Sequence, residues 1–276
     1  MEKIWKNIGH WLNVVLKITV MAAVAFPFVW IISTSLKTYP ETQIFPPKII
    51  PESLHFENYA AAFHAMPFFK YLRNSIFVAF SVLLLQYLVI IPAAYGFARG
   101  KFRGKNFLFG MVLLGFMIPQ QVTFVPVYLM FSKLGMLRSF VPLIAPFIAN
   151  AFGIFLLRQY FMQIPEEIIE AARLDQASPF KILWKIMIPM AKTPIFTVGL
   201  LSFISNWNSY FWPLIMTNHD DFRTLPIGVA MMTDAEGGRI WNEMMAGNML
   251  LILPVLVMYL VASKQIRRAF TYSGIK

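Results

Sequence analysis

Cysteine is absent from the 276 residues, which rules out a disulfide framework, a thiolate metal site and a cysteine nucleophile. Charge is scarce too, at 13% Asp, Glu, Lys and Arg. The four histidines, His10, His55, His64 and His219, are scattered without metal-ligand spacing, so the sequence offers no metal site. A nucleotide site of the P-loop kind is missing as well. Gly100-Lys101 and Gly104-Lys105 lack the glycine-rich run and the following hydroxyl, and read as a tight positive turn. Serine, histidine and carboxylate groups do not cluster on any apolar run or on the basic segments between them, which gives a membrane enzyme no catalytic constellation there. The net charge of +11 comes from basic residues in short separate segments, not from the continuous stripe that nucleic acid requires.

What is present is apolar. Fifty-eight per cent hydrophobic residues and 16% aromatics place the chain among all-α integral membrane proteins. A first apolar run at about 11–36 contains one charge, Lys17, which can snorkel to the headgroups. It lacks a small-residue cleavage site and reads as an anchored helix, not a removed signal. Residues 37–71 form a proline-punctuated loop with an interfacial helix expected near 58–69, where Phe63, Phe68 and Phe69 suit interface anchors. Runs at 74–98, 106–132, 139–157, 193–218 and 244–263 then bring the total to six spans. The third holds Gly110, Gly115, Pro119 and Pro126 and should be kinked or interrupted.

None of the last five runs carries an Asp, Glu, Lys or Arg. Ion-coupled carriers commonly use such buried groups as relays, so a pump or symporter finds little support. Sidedness follows from the 24 lysines and arginines: sixteen fall on the side of the termini and of segments 99–105 and 158–192, eight on the other. Both termini are therefore expected in the cytoplasm. The acidic stretch 218–243, with Asp220, Asp221, Asp234, Glu236 and Glu243, is expected outside, as a solvated loop or a landing surface.

The only long polar segment between two apolar runs on the basic side is 165–189, PEEIIEAARLDQASPFKILWKIMIP. Its charges alternate with Ile168, Ile169, Ala172, Leu174, Phe180, Leu183 and Ile186 at helical spacing, which predicts two short amphipathic helices. Pro165 suits a first helical position, Ser178 an N-cap and Pro179 the next start, with Asp175-Gln176-Ala177 as the turn. Such a hairpin can dock into a partner, or simply close two spans.

Glu170-Ala171-Ala172, the turn, and Ile186, Ile188 and Pro189 resemble the EAA loop of ABC-importer permeases. That family usually has glycine where this chain has Gln176, and a left-handed non-glycine residue costs roughly 1–2 kcal/mol. Asn206-Trp207-Asn208, Phe211-Trp212-Pro213-Leu214 and Thr224-Leu225-Pro226-Ile227-Gly228 resemble the fifth-helix region of maltose-type carbohydrate permeases. Asn58-Tyr59 and the closing 273–276 fit more loosely, and together the match covers nearly the whole chain.

The resemblance implies one type I permease domain over 1–276, with a core at about 72–266 and a cytoplasmic coupling loop at 165–189. It implies a second homologous permease, an ATP-binding cassette ATPase dimer that holds ATP and Mg, and an extracytoplasmic solute-binding protein. This chain then binds no cofactor, catalyses nothing itself, and sits in the plasma membrane of a prokaryote. Glu170, Ala171, Ala172, Asp175, Gln176 and Ser178 are the expected ATPase-coupling residues, with Glu170 the polar anchor and the two alanines allowing close approach. Gln120, Gln121, Asn150, Asn206, Trp207, Asn208, Tyr210 and Trp212 are the candidate pathway residues. Amides offer donors and acceptors to hydroxyls, and aromatic rings cover the apolar faces of a sugar. The same amides also suit packing between helices, and the tryptophans an interfacial belt. An ATP-independent channel or facilitator for small polar solutes is the alternative function.

Overall fold

The computed structural model describes residues 2–232 and 238–271. Asp234, Glu236 and residues 273–276 lie outside them. The described residues are helical almost throughout, in the order α1 (Glu2–Ser35), α2 (Tyr39–Thr42), α3 (Glu57–His64), α4 (Phe68–Arg99), α5 (Lys105–Met117), α6 (Gln120–Lys133), α7 (Val141–Ile144), α8 (Ala151–Gln163), α9 (Glu166–Leu174), α10 (Pro179–Met190), α11 (Lys192–Trp207), α12 (Phe211–Met216), α13 (Leu225–Ala230) and α14 (Trp241–Thr271).

Four stretches are long and apolar enough to cross a membrane: His10–Ser35, Phe68–Arg99, Val141–Gln163 and Trp241–Leu260. Two more candidate spans are bent pairs, α5 with α6 at 94° and α10 with α11 at 80°. Counting each pair once gives six. The expected interruption of the third span is found at Ile118 and Pro119, where Ile118 turns extended and Pro119 caps α6. The fifth span differs from the expected continuous 193–218, because α11 stops at Trp207 and the chain turns at Asn208 before α12 begins at Phe211.

The chain divides into two compact units, one built from the residues up to Phe68 with Gly228–Leu253, the other from Phe69–Ile227 with the stretch from Pro254. In the first unit the apolar stretch of α1 buries nothing inside the molecule, as befits a lipid-facing helix. Its C-terminal end is heavily bonded instead. Asn58, buried on α3, donates to the carbonyls of Ser35 at 2.9 Å and Lys37 at 2.8 Å, and its Oδ1 accepts from Asn242 of α14 at 2.8 Å. The Ser35 hydroxyl meets the Tyr59 hydroxyl at 2.9 Å. One amide thus satisfies two carbonyls that a helix end leaves orphaned. A helix is found in the segment expected to hold one, α3, which ends at His64 and not near 69; Phe68 is buried beside Phe63 (4.2 Å between centroids), while Phe69 is exposed.

In the second unit α4, α5, α8, α9, α10 and α11 share one core, from Ile90 and Ala94 through Phe109, Ile154, Leu157 and Phe161 to Ile169, Ile182, Met187 and Val198. Gly153 allows α4, α8 and α11 to meet, since a Cβ there would lie 2.9 Å from Ile90 Cδ1 and 3.2 Å from Val198 Cγ1. A second cluster gathers Val78, Val82, Phe131, Leu143, Trp212 and Met216. In the second turn of α4, Asn74 donates to the carbonyls of Asp221 (2.8 Å) and Arg223 (2.9 Å). Lys70 pairs with the Asp221 carboxylate and holds it below the usual carboxylate range. That pairing favours the fold above the ordinary aspartate pKa and fades as pH falls through the lowered one.

Asn58→Ala unpairs the Ser35 and Lys37 carbonyls and Asn242 together. At about 1–3 kcal/mol per buried group left unsatisfied, thermal unfolding in detergent should show a loss of several degrees, whereas Tyr59→Phe should cost little.

Candidate functional site

Two adjoining cavities lie in the second unit. The first, about 260 Å³, is lined by Gln120, Gln121, Phe124, Phe147, Ser205, Asn206, Ser209, Tyr210, Phe211 and Trp212. The second, about 350 Å³, is lined by Gln86, Phe116, Pro146, Phe147, Ala149, Asn150, Phe152, Val198, Leu201, Ser202, Ser205 and Asn206. Phe147, Ser205 and Asn206 belong to both walls. No residue of either wall is charged.

The positions follow from where the helices break. Gln120 and Gln121 open α6 just past the Pro119 bend; Phe147, Ala149 and Asn150 occupy the irregular link between α7 and α8; Ser209 and Tyr210 fill the gap between α11 and α12. Non-helical backbone at membrane depth is tolerated where it is buried in protein or faces a watered cavity, and here three such breaks converge on one pair of cavities. Asn150 caps α8 through Oδ1, which accepts from the Gly153 amide at 2.8 Å. Asn206 donates to the Ser202 carbonyl at 2.8 Å and keeps its Oδ1 free of protein partners among the described residues. Gln86, buried mid-helix in α4, donates to the Phe147 carbonyl at 3.0 Å and leaves its Oε1 unpaired.

Gln120, Gln121, Asn206, Tyr210 and Trp212 therefore meet in one cavity, and Asn150 joins Asn206 in the next. Trp212 is fixed by its indole, which donates to the Pro142 carbonyl at 2.9 Å, and by edge contacts to Phe124 and Phe147, both at 5.5 Å. Trp207 and Asn208 line neither cavity. Trp207, one helical turn beyond Phe203, stacks on that ring at 5.7 Å in a cluster with Ala79, and Asn208 is the exposed C-cap of α11. Gln86, Ser202, Ser205, Phe124 and Phe147 complete the walls without having stood out in the sequence. An amide amid the otherwise apolar centre of α4 was the available signal for Gln86.

The hairpin α9–α10 stands at one end of the shared core. Ile169, Ala172, Ile182, Leu183 and Met187 are buried in it, while Leu174 (85% exposed), Phe180 (70%) and Trp184 (50%) lie on the surface with Glu167, Glu170, Asp175, Lys181 and Lys185. Ala171 is exposed, and Ala172 faces the chain's own core. Pro165 occupies the N-cap position of α9, one residue ahead of the first helical position expected for it.

The turn is a Schellman motif: the Gln176 amide donates to the Arg173 carbonyl and the Ala177 amide to the Ala172 carbonyl, each at 3.0 Å, with Gln176 at φ 56°. The side chain at the usual glycine position therefore leaves the turn in place. Ser178 caps α10 through its hydroxyl, which accepts from the Lys181 amide at 3.3 Å. Leu183–Met187 winds as a π-helical stretch before the 80° bend into α11.

Arginines anchor the hairpin's base. Arg99, at the end of α4, pairs with Glu166 and donates to the carbonyls of Ile164 and Phe161, the latter at 2.8 Å. Glu166 also accepts from Arg173 at 3.3 Å. In return Arg158 of α8 donates to the Phe97 carbonyl of α4 at 3.1 Å and lies 4.0 Å from the Phe109 ring centroid. Two parallel helices, whose C-terminal ends lie side by side, thus cap each other's negative ends.

An all-helical span set with broken helices around an uncharged cavity, and a charged hairpin rooted in the same core, defines a membrane permease subunit. Comparison with known proteins gives the family. Residues 87–270 match the family described as binding-protein-dependent transport system inner membrane component. The chain is 34% identical over 211 residues, 76% of its length and 75% of the relative's, to the sn-glycerol-3-phosphate transport system permease protein UgpE of Shigella flexneri serotype 5b (strain 8401). The same protein of Escherichia coli (strain K12) matches with the same identity and coverage. Among solved structures, a chain of a bacterial ABC transporter involved in the import of the acidic polysaccharide alginate superposes with a TM-score of 0.83 at 26% identity, over 94% of this chain and 96% of that one. A chain of a bacterial alginate ABC transporter, solved in complex with an alginate pentasaccharide-bound periplasmic protein, gives 0.69 at 18% identity over 96% and 97% and shares the fold. The chain belongs to the binding-protein-dependent transport system inner membrane component family, as a permease subunit of an ABC importer.

Gln176→Gly should raise the hairpin's stability by about 1 kcal/mol, because only the side-chain penalty of the left-handed residue is removed. Hydrogen exchange at 171–178 should slow accordingly, and Gln176→Val should accelerate it.

Proposed function

We propose that the two cavities form this chain's share of the path for an uncharged or hydroxyl-rich solute of carbohydrate or polyol type, and that the hairpin transmits ATP-driven closure from a separate ATPase. One observation carries the first reading: three helix breaks converge on cavities whose polar groups are amides and hydroxyls and whose remaining walls are largely aromatic. Broken helices of this kind mark solute sites in other transporter folds. Aromatic faces suit the apolar face of a sugar ring, and amides pair with its hydroxyls. The systems of the relatives are named for sn-glycerol-3-phosphate and for alginate, both hydroxyl-rich and anionic. Here neither wall contains lysine or arginine, and the positive N-terminal ends of α6 and α8 are what an anionic group would meet.

The coupling reading rests on the hairpin's exposed apolar groups, Leu174 and Phe180, set among Glu170, Asp175 and Lys181. Ile169 and Ala172 root α9 in the core that it shares with α8 and α10, so that force on the tip reaches the spans. Partners on this reading are a second permease, an ATPase dimer carrying ATP and Mg, and an external binding protein. The balance of lysines and arginines supports cytoplasmic termini and a cytoplasmic hairpin. Membership in a binding-protein-dependent family leaves an ATP-independent channel without support.

Asn206→Leu in the assembled transporter should cut solute uptake at least tenfold while ATPase subunits still co-purify; unchanged uptake would remove Asn206 from the path. Leu174→Asp combined with Phe180→Asp should instead release the ATPase, read by co-purification, while the chain still inserts. Retention of the ATPase by that double variant would deny the hairpin its docking role.

A further inference from the structure

A third cavity, in the first unit and remote in sequence from the hairpin and the solute cavities, has different chemistry. It measures about 190 Å³ and is lined by Trp30 and Thr34 of α1, Lys37, Glu41 and Thr42 around α2, Pro47, and Trp241 and Met245 of α14. Lys37 is 2% exposed, Glu41 6% and Thr34 5%. Lys37 donates to the Lys48 carbonyl and stands 4.9 Å from the Trp30 ring centroid, yet forms no ion pair among the described residues. Glu41 accepts from the Glu52 amide at 3.0 Å through one oxygen. Thr34 Oγ1 is buried with no partner. A cation and a carboxylate buried around one cavity without pairing to each other, beside an orphaned hydroxyl, is costly unless something bearing both signs enters.

We propose that this cavity binds the phosphate–ammonium headgroup of a zwitterionic phospholipid, of the ethanolamine kind. The phosphate takes the spare protons of the Lys37 ammonium and the Thr34 hydroxyl. The headgroup ammonium goes to the open oxygen of Glu41. Lipid supplies the ligand because Trp30 and Thr34 set the cavity beside the end of α1, whose apolar stretch buries nothing inside the molecule and leaves a surface for the acyl chains. Tryptophans at the ends of α1 and α14 set the depth at the headgroup layer. The helix end does not compete for the ammonium, because Asn58 and the backbone amides of Leu36 and Lys37 already occupy the carbonyls of Ser33, Thr34 and Ser35.

The test is lipid mass spectrometry on the full complex purified from native membranes, followed by reconstitution in phosphatidylglycerol nanodiscs with titrated phosphatidylethanolamine. About one equivalent of phosphatidylethanolamine should resist delipidation. Lys37→Met should weaken its retention roughly tenfold or more, the weight of one charge-assisted hydrogen bond. Thr34→Val, which fills the same space and removes only the orphaned hydroxyl, should weaken it severalfold without lowering the thermal stability of the lipid-free protein. Lys37→Arg should restore retention. Equal retention in wild type, Lys37→Met and Thr34→Val would overturn the site. Equal affinity for free phosphoethanolamine would overturn the lipid as its source, and equally firm retention of phosphatidylglycerol would overturn the role of Glu41.

Discussion

A peptide group cannot stand bare in hydrocarbon, and the arrangement of this permease follows from how that constraint is met. The long apolar stretches remain helical and satisfy themselves. Where the chain leaves the helix, at Ile118–Pro119, at 148–150 and at 208–210, the freed groups meet caps, as at Asn150, or the walls of the two uncharged cavities. The same rule governs the ends of the helices. Asn58 serves the end of α1, Arg99 that of α8, Arg158 that of α4, and the Schellman turn at Gln176 that of α9. A single rule of hydrogen bonding thus accounts for the cavity walls, the caps and the turn of the hairpin.

The core of the second unit then ties these devices together. Ile169, Ala172, Ile182 and Met187 of the hairpin belong to the same buried set as Ile90 of α4 and Val198 of α11. Ile90 and Val198 both touch the site of Gly153, a few residues from the cavity wall. Close-packed interiors shift as units and do not deform smoothly, so a displacement of α9 has a short, continuous route to the walls at Asn150 and Asn206.

Much of this was legible before any coordinates. Long uncharged runs separated by basic segments predict the spans, because hydrocarbon length and charge cost leave few alternatives. Ser178-Pro179 and the alternation around 165–189 predict the hairpin, because caps and periodicity are local. Gln120, Gln121, Asn206 and Tyr210 stood out as amides and a phenol in apolar surroundings, and they do converge. What stayed hidden depended on three-dimensional phase. Trp207 and Asn208 share a motif with Asn206, but successive helical residues point about 100° apart, so one packs inward and the other caps the helix end. The buried seat of Ala172 is hidden for the same reason, since it lies one helical step from exposed Ala171. Gln86 was hidden because one amide in a long apolar run has no pattern.

The reciprocal arginine caps at the base of the hairpin give two of the chain's basic residues a double duty. Arg99 and Arg158 stand in the basic segments from which sidedness is inferred, and the same two guanidiniums close the ends of α8 and α4. Their charge count and their hydrogen bonds cannot be varied separately by neutralisation. A topology reporter that changed on removal of either arginine would register an unseated hairpin as readily as an inverted helix, whereas Lys101 and Arg103, in the turn that follows α4, offer the cleaner reading of orientation.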